Sequence, residues 1–154
     1  MRELLAALAL TACVSAQTAP TQTAPSTGAR TPYEIARGCW IDQRDRGEAI
    51  TLRWLPDHDD RVRLNGAMLS YGPQGPFDPA FFWIDRTGPA WRFCSATDSC
   101  WPIGEAAARP HRNGGIEYFD VEGGAERLTL SFVYRFGDEW EREFLFQGAR
   151  HGCD

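Results

Sequence analysis

The chain has 154 residues, 43% of them hydrophobic and 24% charged, with 16 basic residues against 21 acidic ones for a net charge of -5. That length supports one folded domain with its own core, and the balance of apolar and charged residues excludes wholesale disorder. An acidic chain lacks the clustered basic face that phosphate binding needs, which excludes nucleic acid as a partner, and no apolar run of about 18 residues is present to form a membrane-spanning helix. All 16 basic residues are Arg, and the five Cys make an odd count that needs a reason.

Residues 1–12 join a charged start to an apolar stretch over residues 4–10, the pattern of an export signal rather than of a fold element. Leu10-Thr11-Ala12-Cys13 closely resembles the lipobox of bacterial lipoproteins. The resemblance implies cleavage before Cys13, diacylglyceryl transfer to its thiol and acylation of the new amino group. Acylation at that level exceeds the two signals that stable attachment takes, so Cys13 would tether the chain to a membrane. Val14 follows, rather than the Asp that holds many such lipoproteins in the inner membrane, which implies an outer-membrane anchor facing the periplasm. Residues 13–34 are then the acylated Cys and a spacer. From Val14 onward this stretch is built from Ala, Thr, Gln, Ser and Pro, with no charge before Arg30 and no aromatic before Tyr33, so it is expected to stay extended and mobile. The folded domain is expected over residues 35–154.

Setting Cys13 aside leaves Cys39, Cys94, Cys100 and Cys153, an even set for which an oxidising periplasm favours disulfides. Four cysteines allow three connectivities. Spacing favours Cys94 with Cys100, closing a polar turn between two aromatic-rich runs, and Cys39 with Cys153, joining the two ends of the domain. A zinc site would need ligands far apart in sequence and has no Cys-x-x-Cys pair, so no metal is expected.

Period-two alternation runs through the rest of the chain. Strands are expected over residues 39–43, over 49–55 with Ile50, Leu52 and Trp54 on one face, and over 61–71 with Val62, Leu64 and Met68 on one face. Residues 80–86 and 90–94 follow across the turn Thr87-Gly88-Pro89, then 115–122. Residues 128–136 carry the clearest pattern, with Leu128, Leu130, Phe132, Tyr134 and Phe136 alternating against Thr129, Ser131, Val133 and Arg135. The next run sets Trp140, Phe144 and Phe146 against Glu141, Glu143 and Gln147. Matching faces predicts a three-residue loop over 137–139, pairing Phe136 with Trp140, Phe132 with Phe144, Leu130 with Phe146 and Arg135 with Glu141. A two-residue loop would oppose Tyr134 to Glu141 and Phe132 to Glu143, which the same logic rejects. Upstream it places Glu122 opposite Arg127 and Phe119 opposite Leu130, around a loop over 123–126. One helical turn is expected at 105–109. The fold class is all-β: an antiparallel up-and-down barrel of about eight strands, closed by the Cys39 to Cys153 bridge.

Gly38-Cys39-Trp40, opening the first strand, resembles the Gly-x-Trp signature of lipocalins and their smaller calycin relatives, and residues 51–56 and 65–69 are similar to the second and third strands of small lipocalin-like bacterial domains. That resemblance implies that Trp40 sits at the barrel floor, with Arg142 or Arg150 packing across it.

The sequence holds no Gly-x-Ser-x-Gly elbow, no His-Glu-x-x-His pair and no phosphate-cradling Gly loop, so no catalytic residues or cofactor are expected. His58, His111 and His151 fall in polar loops. Asp57-His58-Asp59-Asp60 clusters hard ligands but lacks the Gly and Glu of a calcium loop. Glu141 and Glu143 share a face, expected to be the solvent side. The chain contains nine Phe, six Trp and four Tyr. Trp54, Trp83, Phe93, Phe132 and Phe144, together with Phe119 and Phe146, are expected to point inward, as core or as the lining of a pocket for a small apolar ligand. The Pro- and Gly-rich stretch over 71–79 could cap its mouth. The function expected is therefore non-catalytic binding of a small apolar ligand; the alternative is a protein-binding module, such as an inhibitor of an envelope enzyme of the lysozyme type, acting through loops at 68–78 or 94–101.

Overall fold

The computed structural model describes residues 30–97, 99–104 and 115–153. Cys13, His111 and the helical turn expected at 105–109 lie outside the described residues.

A short helix, α1 (Pro32–Ala36), opens the domain. Thr31 caps it: its hydroxyl accepts from the Glu34 amide while the Glu34 carboxylate reaches back to the Thr31 amide, and Pro32 occupies the first turn. Among the described residues ten strands follow: β1 (Gly38–Gln43), β2 (Ala49–Pro56), β3 (Leu64–Gly72), β4 (Gly75–Pro76), β5 (Ala80–Thr87), β6 (Ala90–Ser95), β7 (Cys100–Pro102), β8 (Ile116–Gly123), β9 (Arg127–Phe136) and β10 (Glu139–His151). They form one sheet in the order β7-β6-β5-β3-β2-β1-β10-β9-β8, with β4 folded onto β3. The pairing of β1 with β10 turns this meander into a lipocalin-like up-and-down barrel as expected, of nine strands among the described residues against about eight expected.

The odd number has a geometric consequence. Direction alternates around an up-and-down ring, so nine strands leave one neighbouring pair parallel. That pair is β7 and β8, which meet through a single parallel bridge between Ile103 and Phe119 and a Gly104 amide donating to the Phe119 carbonyl at 2.9 Å. The barrel is therefore nearly closed, with its seam between β7 and β8.

The floor is built as the Gly-x-Trp resemblance implied. Trp40 is 1% exposed, and its indole Nε1 donates to the Ala36 carbonyl at 2.7 Å, tying the barrel to α1. Arg150, not Arg142, packs across it, with the guanidinium 4.5 Å from the ring centroid. Gly38 has φ 131°, and a Cβ there would run into that guanidinium, which is the physical reason for glycine two residues before the Trp.

Two registers differ from expectation. Between β8 and β9, Phe119 faces Phe132 and Val121 faces Leu130, so the hairpin is shifted by two residues and the side chains from Tyr118 to Gly123 keep their faces, up to an irregularity between Ile116 and Tyr118. Between β9 and β10 the rejected two-residue turn is the one adopted: Glu139 pairs with Phe136, Glu141 with Tyr134 and Glu143 with Phe132. Gly137, at φ 64°, takes the first central position of the turn. A bulge at Leu145 then restores Phe146 opposite Leu130, as expected. Trp140 and Phe144 are thereby uncoupled from Phe146 and face outward. Val62 lies before β3 and is exposed.

Candidate functional site

Of the five aromatics expected to line a pocket, Trp54, Phe93 and Phe132 lie inside. Phe93 is the hub of the interior. Its ring stacks on Phe119 at 3.7 Å and meets Trp54, Phe82, Trp101 and Phe132 at 5.2–6.4 Å. Trp54, Phe93 and Phe119 are fully buried, and a Cβ at Gly66 would collide with the Trp54 ring. These contacts gather the aromatic side chains into one cluster in the barrel's middle, within which the Trp54 indole Nε1 is buried without a hydrogen-bond partner among the described residues. The other two residues are corrections. Trp83 has the parity opposite to Ile84 and Phe82 and lies on the outer face, under the Arg63 guanidinium at 4.9 Å. Phe144 is outward and 52% exposed, because the Leu145 bulge separates it from Phe146.

Both expected disulfides are formed: Cys39–Cys153 joins the start of β1 to the chain beyond β10, and Cys94–Cys100 ties β6 to β7. Beside the first lies an open groove of about 300 Å³ between Arg53, Tyr71 and His151. In the Asp57–Asp60 loop, the Asp57 carboxylate accepts from the Asn65 side chain and from the Asp59 and Asp60 amides, bonds that hold it below the usual carboxylate range. The cluster is thus a turn held by its own hydrogen bonds. Among the described residues no group of three or more His, Cys, Asp or Glu is placed to hold a metal ion.

The end of the barrel opposite the floor carries features that the alternation did not foretell. The β9–β10 hairpin runs past the end of the β8 pairing at Tyr134; Phe136 is 47%, Trp140 47% and Phe144 52% exposed, and the Trp140 ring lies 6.0 Å from that of Tyr118 and 5.5 Å from the Arg135 guanidinium. Glu141 and Glu143, expected opposite Arg135 and Val133, instead share a face with Tyr134 and Phe136. The Tyr134 hydroxyl donates to Glu143 Oε2 at 2.7 Å, and these residues line a shallow groove of about 280 Å³. Desolvation, and then the Glu143 carboxylate, push the Tyr134 phenol up to about 12. On the outer face, Arg142 reaches across β9 to Asp120 and Glu122, both at 2.9 Å. Burial, followed by the neighbouring Glu122, raises the Asp120 carboxyl, while the Arg142 hydrogen bond lowers that of Glu122. At the same end Tyr71, Phe77 and Phe81 are exposed around β4, on the stretch expected to cap a mouth.

No protein-family model, curated protein or solved structure matches this chain. The likeness to lipocalins accordingly rests on the up-and-down topology and on the Gly38, Trp40 and Arg150 floor.

Proposed function

We propose that this protein is a non-catalytic binding barrel of the cell envelope, tethered through an acylated Cys13 to the periplasmic face of the outer membrane, and that it engages a protein partner at its rim. The fold is consistent with a small-molecule-binding barrel. The observation that favours the protein-binding reading over carriage of an apolar ligand is the aromatic cluster around Phe93, in which Trp54, Phe93 and Phe119 are fully buried and packed on one another. The rim, by contrast, displays aromatic side chains to solvent, the residue type that concentrates binding energy at interfaces. An inhibitor of an envelope enzyme is one partner relation that suits such a scaffold.

Native mass spectrometry of the chain extracted from its own envelope tests this reading. The expected mass is that of the acylated chain with two disulfides and no further small molecule. A persistent non-covalent adduct would return the function to ligand carriage. For the tether, Cys13→Ser is expected to move the protein from the membrane fraction to the soluble fraction, and unchanged fractionation would refute acylation.

A further inference from the structure

We propose that the unpaired edge of β10, from Glu139 to Phe144, receives an extended segment of the partner protein as an added strand, and that this segment alternates basic with apolar side chains. The inference rests on the protein-binding reading and names its docking element and the chemistry it selects.

Strand β10 pairs with β9 from Glu139 to Ala149, but with β1 only over Ala149, Arg150 and His151. Among the described residues, the stretch from Glu139 to Gly148 therefore has a strand on one side only. Strand β1 ends at Gln43, where the chain turns into the short 3-10 segment Asp45–Gly47, so the wall beside β10 stops well below the hairpin tip. A strand edge of this kind presents a row of backbone donors and acceptors without sheet partners, which is what strand addition uses. At the fork between residues 41–43 and 147–149 lies a groove of about 230 Å³ that continues the line of the edge.

The side chains say what would pair there. Ahead of the Leu145 bulge, Glu139, Glu141 and Glu143 occupy one face of β10, and Trp140, Arg142 and Phe144 the other. Arg142 is held by Asp120 and Glu122, and the Trp140 ring lies against Tyr118 and Arg135, yet Trp140 and Phe144 stay about half exposed on that face; the opposite face carries the three glutamates, of which Glu143 also accepts from Tyr134. Residues directly opposite on neighbouring strands share a face. An incoming strand therefore sets alternate side chains against three glutamates and the others against Trp140 and Phe144, which calls for Lys or Arg alternating with apolar residues.

The same rule disfavours the other occupants. A second copy laid along this edge would set Glu139, Glu141 and Glu143 against the same glutamates in any register that matches faces, and like charges opposite one another repel. The chain's own spacer carries no charge from Val14 to Ala29 and so offers no basic partner.

The test uses the purified chain and three synthetic octapeptides: alternating Lys-Val, alternating Glu-Val, and Lys-Val with alternate amides N-methylated. Isothermal titration is expected to show binding of the Lys-Val peptide, none of the Glu-Val peptide, and at least tenfold weaker binding after N-methylation. The double variant Glu141→Lys, Glu143→Lys, at exposed positions, is expected to reverse the charge preference while its circular dichroism stays unchanged. Equal binding of the N-methylated peptide would overturn strand addition in favour of charge alone. Equal binding of the Lys-Val and Glu-Val peptides, or of neither, would overturn the proposed chemistry, and a dimer of the free chain abolished by the double variant would make the occupant a second copy. These results leave the mass-spectrometric test of the interior untouched, so the docking edge can fail while the protein-binding reading stands.

Discussion

Arg150 shows how one exposed side chain can organise a barrel floor. Its guanidinium lies over Trp40, Nε donates to the Ala125 carbonyl at 2.6 Å, and Nη2 donates to the Arg37 carbonyl at 3.3 Å, so it joins β10, the β8–β9 turn and the end of α1. Replacing Arg150 by Met keeps the apolar stem and removes these contacts. The expected loss is about 1–2 kcal/mol, read from urea unfolding. At the other end, Glu143 holds the Tyr134 hydroxyl proton. The raised phenol means that its contribution to stability is complete below the unfolded value near 10 and is lost as the pH rises through about 12. Glu143→Gln removes the charge that helps hold the proton. The Tyr134 titration, followed by ultraviolet difference absorbance, is expected to move back toward its ordinary value, and an unmoved titration would assign the shift to desolvation alone.

At the scale of the element, the β9–β10 hairpin explains why alternation misassigned its tip. Trp140, Phe144 and Phe146 lie at even spacings, and a regular strand would turn all three to one face. The chain instead takes the tight turn at Gly137 and spends Leu145 as a bulge, with Leu145 and Phe146 both leaning against the core. Because Phe144 already opposes Ser131 and Phe146 opposes Leu130, deleting Leu145 would leave a continuous ladder with the same faces. The deletion is expected to cost about 1–2 kcal/mol from the lost half-buried side chain, while the Tyr134 titration stays near 12. A titration returning to the ordinary range would mean that the hairpin had re-registered. The β8–β9 hairpin carries the converse lesson: from Tyr118 to Gly123 a shift of two residues left the faces where alternation put them, since a period of two fixes parity but not register.

For the whole molecule, closure depends on contacts between the ends of the chain. The Cys39–Cys153 bridge spans a sequence separation of 114 and sits where β1 meets β10, whereas Cys94–Cys100 spans 6. The loop-entropy model assigns about 4.8 kcal/mol to the long bridge and about 2.4 to the short one. Replacing both members of the long pair by Ser is therefore expected to lower the thermal midpoint roughly twice as far as the same change in the short pair, with calorimetry as the check. An equal or reversed ranking would place the closure energy in the strand pairing itself.

The amino-acid sequence determined what local chemistry can express. Alternation specified strands and an all-β chain; Cys spacing specified the two bridges; and Gly38 before Trp40 specified the floor, because the backbone there takes a positive φ that strains any other residue, beside the Arg150 guanidinium. Of the aromatics expected inside, Trp54, Phe93 and Phe132 were legible as interior, but Trp83 and Phe144 were not. The tertiary structure alone decided the ninth strand with its parallel seam, the bulge at Leu145, and the edge of β10 that has no strand partner among the described residues. Each depends on how far one strand outreaches its neighbour around a closed ring. A distance between strands remote in sequence leaves no periodic trace along either of them.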